Sequence, residues 1–357
     1  MSAPAPSQPP LLEIVDLHVR FPIRSGLLRR ETGQVRAVSG VSLKIRRGEA
    51  VGLVGESGCG KTTLARAALQ LQEATEGEIL FDGRHVKTRP DRAAFRRRVQ
   101  AIFQDPFSSL NPRMSAGDIV AEPIRVHGLR PRGKVKARVA ELLDLCGLPA
   151  RFMELYPHEM SGGQRQRIGI ARALAMEPEL IVCDEAVSAL DVSVQAQVIN
   201  LLAELRRELG LTYLFIGHDL SVVRHLCDRV AVMYLGRVVE QGPSDALFAD
   251  PQHPYTRALI DAAPEPDPEL ARAHEVVPLQ GEAPSPAAPP PGCAFHPRCP
   301  IAVARCSQEI PALAPVGAGH GAACWLARPA AVGTGQHDGK PVDLSPNPGQ
   351  VRQEMLR

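Results

Sequence analysis

Positions 55 to 62 read Gly55-Glu56-Ser57-Gly58-Cys59-Gly60-Lys61-Thr62. Glycines at this density let backbone N–H groups converge on one point without side-chain obstruction, and such a concave row binds anions. The apolar run Ala50 to Val54 before it reads as a buried strand, and the pattern from Lys61 to Gln72 reads as a helix. A loop in that position also receives the positive end of the helix. The chemistry that fits is the binding of a nucleoside triphosphate. Lys61 reaches the β- and γ-phosphates, Thr62 offers its hydroxyl to Mg2+, and Thr63 follows it at the start of the helix. Cys59 occupies a variable place and matters by being small. A glycine-rich turn that merely precedes Lys-Thr would not need the flanking strand and helix.

A second group lies at Leu180-Ile181-Val182-Cys183-Asp184-Glu185, an apolar run ending in two carboxylates. Alone it would pass for a solvated strand end. Downstream of a phosphate loop it reads as a catalytic pair. Asp184 holds Mg2+, directly or through water, and Glu185 polarises the attacking water.

These groups need a frame. Apolar residues at helical spacing run from Val194 to Leu209, with Gly210 as a stop. Thr212 to Ile216 reads as a strand, and Arg229 to Glu240 as a hairpin turning at Gly236. Alternating strands and helices predict an α/β fold with a mainly parallel sheet, its ligands at the carboxyl ends of the strands. All the residues expected to handle phosphate precede Asp219.

Between the two motifs lies Met160-Ser161-Gly162-Gly163-Gln164-Arg165-Gln166-Arg167. Ser161 suits the cap of a helix running from Gln164 to Met176, which would turn Ser161 and the N–H groups near Gly163 toward an anion. In this order the stretch resembles the signature of ABC transporter ATPases, with Met160 where that family usually has Leu. The resemblance implies that Ser161, Gly162, Gly163 and Gln164 face the γ-phosphate bound by another subunit. It implies that Gln104, in Ile102-Phe103-Gln104-Asp105-Pro106, is the Q-loop residue that senses Mg2+ and touches the membrane subunit. Ser188-Ala189-Leu190-Asp191 is similar to the D-loop, and His218 to the switch histidine at the γ-phosphate. Phe21 falls where an aromatic, often Tyr, stacks on adenine, and Pro22 to Arg36 looks inserted. The likeness spans residues 11–262. It implies a P-loop core with an antiparallel β-subdomain and a helical signature subdomain at about 105–175.

Gln104 to Arg113 and His253-Pro254-Tyr255-Thr256-Arg257-Ala258-Leu259 resemble the importer group for oligopeptides, dipeptides and nickel. That group often ends in a cysteine-containing extension. Here Cys293, Cys299, Cys306 and Cys324 are spaced C-x5-C-x6-C-x17-C. Four thiolates suffice for a [4Fe–4S] cluster or for tetrahedral zinc. The lack of C-x2-C pairs argues against a zinc ribbon, and the resemblance favours the iron–sulfur cluster, with zinc or unligated thiols as alternatives. Cys146, Cys183 and Cys227 read as small core hydrophobes. His296 and His320 read as structural or exposed, and the basic runs Arg96 to Arg98 and Arg130 to Arg138 as solvated faces, with a place near the membrane surface as the alternative for the first run.

The remaining features bound the reading. The chain has 357 residues, 44% hydrophobic, with a net charge of only +2, so nucleic acid is not an expected partner. No apolar run reaches the roughly 18 residues of a membrane span, and the N-terminus lacks the features of a secretory signal. Eleven prolines between Pro264 and Pro300 mark a domain boundary or an extended wrap. The expected organisation is a disordered 1–10, a nucleotide-binding domain at 11–262, a Pro/Cys-rich extension at 263–329 and a flexible tail at 330–357. The resemblance implies an ATPase subunit of a peptide importer at the cytoplasmic face of the inner membrane. Its partners would be a second ATPase subunit (a paralogue or itself), two permease subunits and, indirectly, an extracytoplasmic binding protein. Nickel or glutathione uptake is the alternative. A soluble ABC ATPase is disfavoured by the single set of motifs and the lack of a coiled-coil insertion.

Overall fold

The computed structural model describes residues 9–26, 30–86, 88–105, 107–263 and 281–328. The first half supplies β1 (Leu12–Ser25), β2 (Arg30–Ile45), β3 (Ala50–Val54), α1 (Lys61–Ala68), β4 (Glu76–Phe81), β5 (Arg84–His85), α2 (Arg89–Arg98) and β6 (Val99–Ile102). Three helices follow, α3 (Ala116–Val126), α4 (Val135–Leu145) and α5 (Gly162–Leu174). Then come β7 (Leu180–Asp184), α6 (Val192–Leu209), β8 (Thr212–Ile216), α7 (Leu220–Leu226), β9 (Arg229–Tyr234), β10 (Arg237–Pro243), α8 (Ser244–Ala249) and α9 (Pro254–Asp261). The last segment adds β11 (Ala314–Gly317) and β12 (His320–Ala322).

Two sheets share the core. The smaller is antiparallel, in the order β2-β1-β4-β5. Its inward face alternates along β1 as Leu12, Ile14, Leu17 and Val19, all fully buried. The register shifts between Ile14 and Leu17, where Asp16 has a φ of 42°, so the apolar residues stay inward across the irregularity. In the stretch that looked inserted, Pro22 to Ser25 and Arg30 to Arg36 form the outer arms of β1 and β2.

The larger sheet has eight strands in the order β11-β12-β10-β9-β3-β8-β7-β6. From β9 to β6 all pairings are parallel. Every residue of β3 and β8 is buried, which is why both read as unbroken apolar runs. β10 to β12 continue the sheet antiparallel. The C-terminal segment therefore joins the main sheet, through Glu240 opposite Ala322 and Gln241 opposite Gly321. Its short strands carry too little alternation to be read from sequence.

The predicted helix from Lys61 to Gln72 stops at Ala68. Gln70 takes a φ of 55°, its N–H donates to Ala67 O, and that of Leu71 donates to Arg66 O. This is a Schellman-type end built without the usual glycine, so no residue type there announces the stop. α6 ends as expected at Gly210, with a φ of 65°. α5 starts at Gly162, capped by Ser161. Its Ile168 and Ile170 share a core with Val120 and Ile124 of α3 and Val139 and Leu143 of α4. Arg98 and Arg130, read as parts of solvated faces, keep side chains 37% and 38% exposed and are also paired. Arg98 binds Glu179 and Asp82, and Arg130 binds Glu177, tying the start of β7 to neighbouring elements.

Glu240 is fully buried on β10. Its carboxyl group accepts the backbone N–H groups of Gln252 and His253, both at 2.8 Å, and lies 2.7 Å from His320 Nε2. His320 is thus a structural residue. Glu240→Ala should leave these polar groups unsatisfied in a dry place and cost about 3 kcal/mol. A urea-midpoint shift at constant m-value would measure the loss, and an unchanged midpoint would show the network to be dispensable.

Candidate active site

The phosphate loop begins where β3 ends and closes at α1. Gly55 has a φ of 154°, and a Cβ there would lie 2.2 Å from Met233 O. Gly60 has a φ of 109°, and a Cβ there would lie 2.1 Å from Ala37 O. Side chains at either place would force the loop off β9 and β2, so packing demands the same glycines that leave the N–H groups open. Gly58, with a φ of 77°, lies at the tip with Ser57 beside it. Lys61 is buried, and its Nζ donates to Gly55 O at 2.7 Å and Glu56 O at 3.0 Å, with Cys59 Sγ at 3.9 Å. Phosphate oxygens would be stronger acceptors for that ammonium than two neutral carbonyls. A glycine cradle, a helix start carrying Thr62 and Thr63, and a buried cation together fit a nucleoside triphosphate.

Asp184 ends β7, and Thr62 Oγ1 donates to its Oδ1 at 3.4 Å. Burial, and then the neighbouring Glu185, raise the Asp184 pKa above the usual carboxylate value. A cation between Thr62 and Asp184 would relieve that cost, so this hydroxyl–carboxylate pair fits Mg2+.

Glu185 has a φ of 48° and donates its backbone N–H to Ile216 O at 2.9 Å. That left-handed turn is costly for a non-glycine residue, and it swings the side chain out of the strand direction. The carboxylate accepts from Gln104 Nε2 at 2.7 Å and lies 3.9 Å from His218 Nδ1. Gln104, Glu185 and His218 follow β6, β7 and β8, so three adjacent parallel strands deliver them to one edge of the sheet. An open cleft of about 730 Å3 borders this group, lined by Thr62, Gln104 and Asp184 with Arg66, Phe103 and Arg172.

The signature residues lie elsewhere. Ser161 Oγ accepts from Gln164 N–H at 3.4 Å, and Gln164 Oε1 accepts from Ser161 N–H at 2.9 Å. A Cβ at Gly162 or Gly163 would meet Leu190 or Val194 respectively, not the phosphate loop. Asp191, the N-cap residue of α6, sits between those two positions. Ser161, Gly162, Gly163, Gln164 and Asp191 thus form one patch, with Ser161 exposed at a helix start. Phe21 lies on β1 opposite Val35 and is 37% exposed, so its ring is accessible.

Beyond the residues expected to handle phosphate, two later side chains touch the loop itself. Glu56 N–H donates to Tyr255 Oη at 2.7 Å, and Arg298 binds the Glu56 carboxylate. The sequence marked both stretches by resemblance, but nothing local tied them to the loop.

Cys293, Cys299, Cys306 and Cys324 line one small cavity with Phe295 and Trp325. Burial raises the thiol pKa values of Cys293, Cys299 and Cys324, and neighbouring thiols add to it. Among the described residues, no three His, Cys, Asp or Glu side chains are grouped so as to hold a metal ion. Cys146, Cys183 and Cys227 are buried, as small core residues.

Residues 38–188 match the "ABC transporter" family model, and 239–306 match "Oligopeptide/dipeptide transporter, C-terminal region". The "Probable peptide ABC transporter ATP-binding protein y4tS" of Sinorhizobium fredii is 53% identical over 90% of this chain and 91% of its own. The "Oligopeptide transport ATP-binding protein AppF" of Bacillus subtilis is 50% identical over 90% of this chain and 99% of its own. Among solved structures, the ATP-binding cassette MJ0796, a dimer bound to ADP and Pi in a post-hydrolysis state, matches with a TM-score of 0.58 and 28% identity, covering 65% of this chain and 98% of the cassette. Glycine cradle, Mg2+-type pair and carboxylate at the strand ends thus stand in a chain half identical to transport ATPases along nearly its whole length, and it belongs to the ABC transporter family as one of its ATP-hydrolysing subunits.

Proposed function

We propose that this ATPase drives uptake of di- or oligopeptides through separate membrane subunits. The observation that carries the reading is Glu185, held by Gln104 beside His218 at the strand ends next to the Thr62–Asp184 pair. The names of the half-identical relatives supply the substrate class. Gly55 to Thr63 cradle the phosphates, with Lys61 on the β- and γ-phosphates. Phe21 stacks on adenine. Mg2+, held by Thr62 and Asp184 with Gln104 alongside, would supply charge neutralisation at the transferred group. Glu185 orients and deprotonates the attacking water, and His218 donates to the γ-phosphate oxygens. Ser161 to Gln164 and Asp191 serve the site of a facing ATPase subunit, a paralogue or a second copy. Closure over two ATP molecules and reopening after hydrolysis then move the permease subunits, which dock near Gln104 at the cytoplasmic face of the inner membrane.

Deleting the gene should abolish uptake of labelled peptides, and wild type but not Glu185→Gln should restore it. Loss of nickel or glutathione uptake with peptide uptake intact would overturn the substrate class. No helix among the described residues is long and apolar enough to cross a membrane, so membrane attachment would run through the permease.

The unit boundaries 11–262 and 263–329 belong to the same reading. The tail 330–357, and 1–10 apart from Pro9 and Pro10, lie outside the described residues. The four late thiols, which line one small cavity, would hold a [4Fe–4S] cluster. Protein purified without oxygen should carry about four irons and four sulfides per chain, and Cys299→Ser should remove most of both. Iron-free protein with four freely titrating thiols would reject the cluster.

A further inference from the structure

Glu56, the second residue of the phosphate loop, is held at two points by chain 199 and 242 residues downstream. Its backbone N–H donates to Tyr255 Oη at 2.7 Å. Its carboxylate accepts from Arg298 Nη1 at 2.8 Å and Nη2 at 3.0 Å, a bidentate pair. The Arg298 side chain is only 7% exposed, so water screens the pair weakly. Arg298 is itself held in place. Phe295, three residues earlier and buried, packs on the rings of Tyr234 and Tyr255 at 5.3 and 5.4 Å, and Tyr234 Oη lies 3.5 Å from Arg298 Nη1.

The Glu56 carbonyl also holds Lys61 Nζ at 3.0 Å. A shift of Glu56 would therefore move a partner of the ammonium that meets the phosphates. A carboxylate in a loop built for a polyanion also opposes binding unless its charge is offset. We propose that Arg298 is a positioning residue of the nucleotide site: it neutralises and fixes Glu56, so that the loop and Lys61 present their positive field to the triphosphate. The C-terminal segment then takes part in nucleotide binding whatever the four thiols hold.

The test compares Arg298→Gln, Glu56→Gln and the double variant in the full-length chain, by ATPase kinetics and by titration with a fluorescent ATP analogue. Arg298→Gln leaves the carboxylate uncompensated and should raise KM and the analogue's Kd about tenfold, with kcat changed less than about twofold. Glu56→Gln alone loses the ion pair but also the negative charge, and should raise the analogue's Kd by less than Arg298→Gln does. Adding Glu56→Gln to Arg298→Gln removes the unpaired charge and should restore binding to about that level. A folding defect in the C-terminal segment would persist in the double variant, because the guanidinium is still missing. Unchanged KM in Arg298→Gln, or an equal rise whether residue 56 is Glu or Gln, would overturn the proposal.

Discussion

Glu185→Gln is expected to cut ATP turnover by at least about 100-fold while leaving ATP affinity near wild type. The amide has the shape of the carboxylate and can still accept the hydrogen bond from Gln104 through its oxygen, so the left-handed turn at residue 185 and the three-residue cluster should survive. What it cannot do is accept a proton from water. Nucleotide binding rests on the glycine cradle and Lys61, which the change does not touch. Without hydrolysis, the closed pair of ATPase subunits should accumulate in ATP and show as a dimer in size-exclusion chromatography with light scattering. Turnover within about threefold of wild type would remove Glu185 from the role of base.

The second large effect is expected at Ser161. It sits exposed at the start of α5, beside Gly162 and Gly163, whose near neighbours are Leu190 and Val194. Ser161→Arg places a long cation where a facing subunit's phosphate would have to dock. It should reduce hydrolysis about 100-fold and prevent ATP-driven dimer formation, while the monomer binds nucleotide as before. The change also removes an N-cap, worth about 1 kcal/mol. Ser161→Asn separates the two effects, because asparagine caps as well as serine without the bulk or charge. If the Ser161→Arg monomer itself loses nucleotide binding, the signature belongs to its own chain's site and the composite arrangement fails.

Much of this was legible in the residues in order. The phosphate loop, the Asp184–Glu185 strand end, the capping serine at 161 and the strands at 50–54 and 212–216 rest on local rules. Glycine frees a loop, a buried parallel strand must be apolar on both faces, and serine caps a helix start. Such rules act over a few residues and therefore read directly from sequence. The end of α1 did not, because Gln70 adopts a glycine-like conformation that residue type does not announce.

The meeting of Gln104, Glu185 and His218 was decided by tertiary structure, since residues 81 and 33 apart in sequence become neighbours only through the β6-β7-β8 order. Tertiary structure likewise decided the pairing of Arg98 with Glu179 and the burial of Glu240 against His320. The C-terminal segment was the least legible part. Its prolines suggested a boundary or an extended wrap, and only the fold shows that two of its strands extend the main sheet and that Arg298 reaches Glu56 in the phosphate loop. An ion pair spanning 242 residues leaves no periodic or compositional trace. It exists because Phe295 has a slot between Tyr234 and Tyr255, and only the folded chain makes that slot.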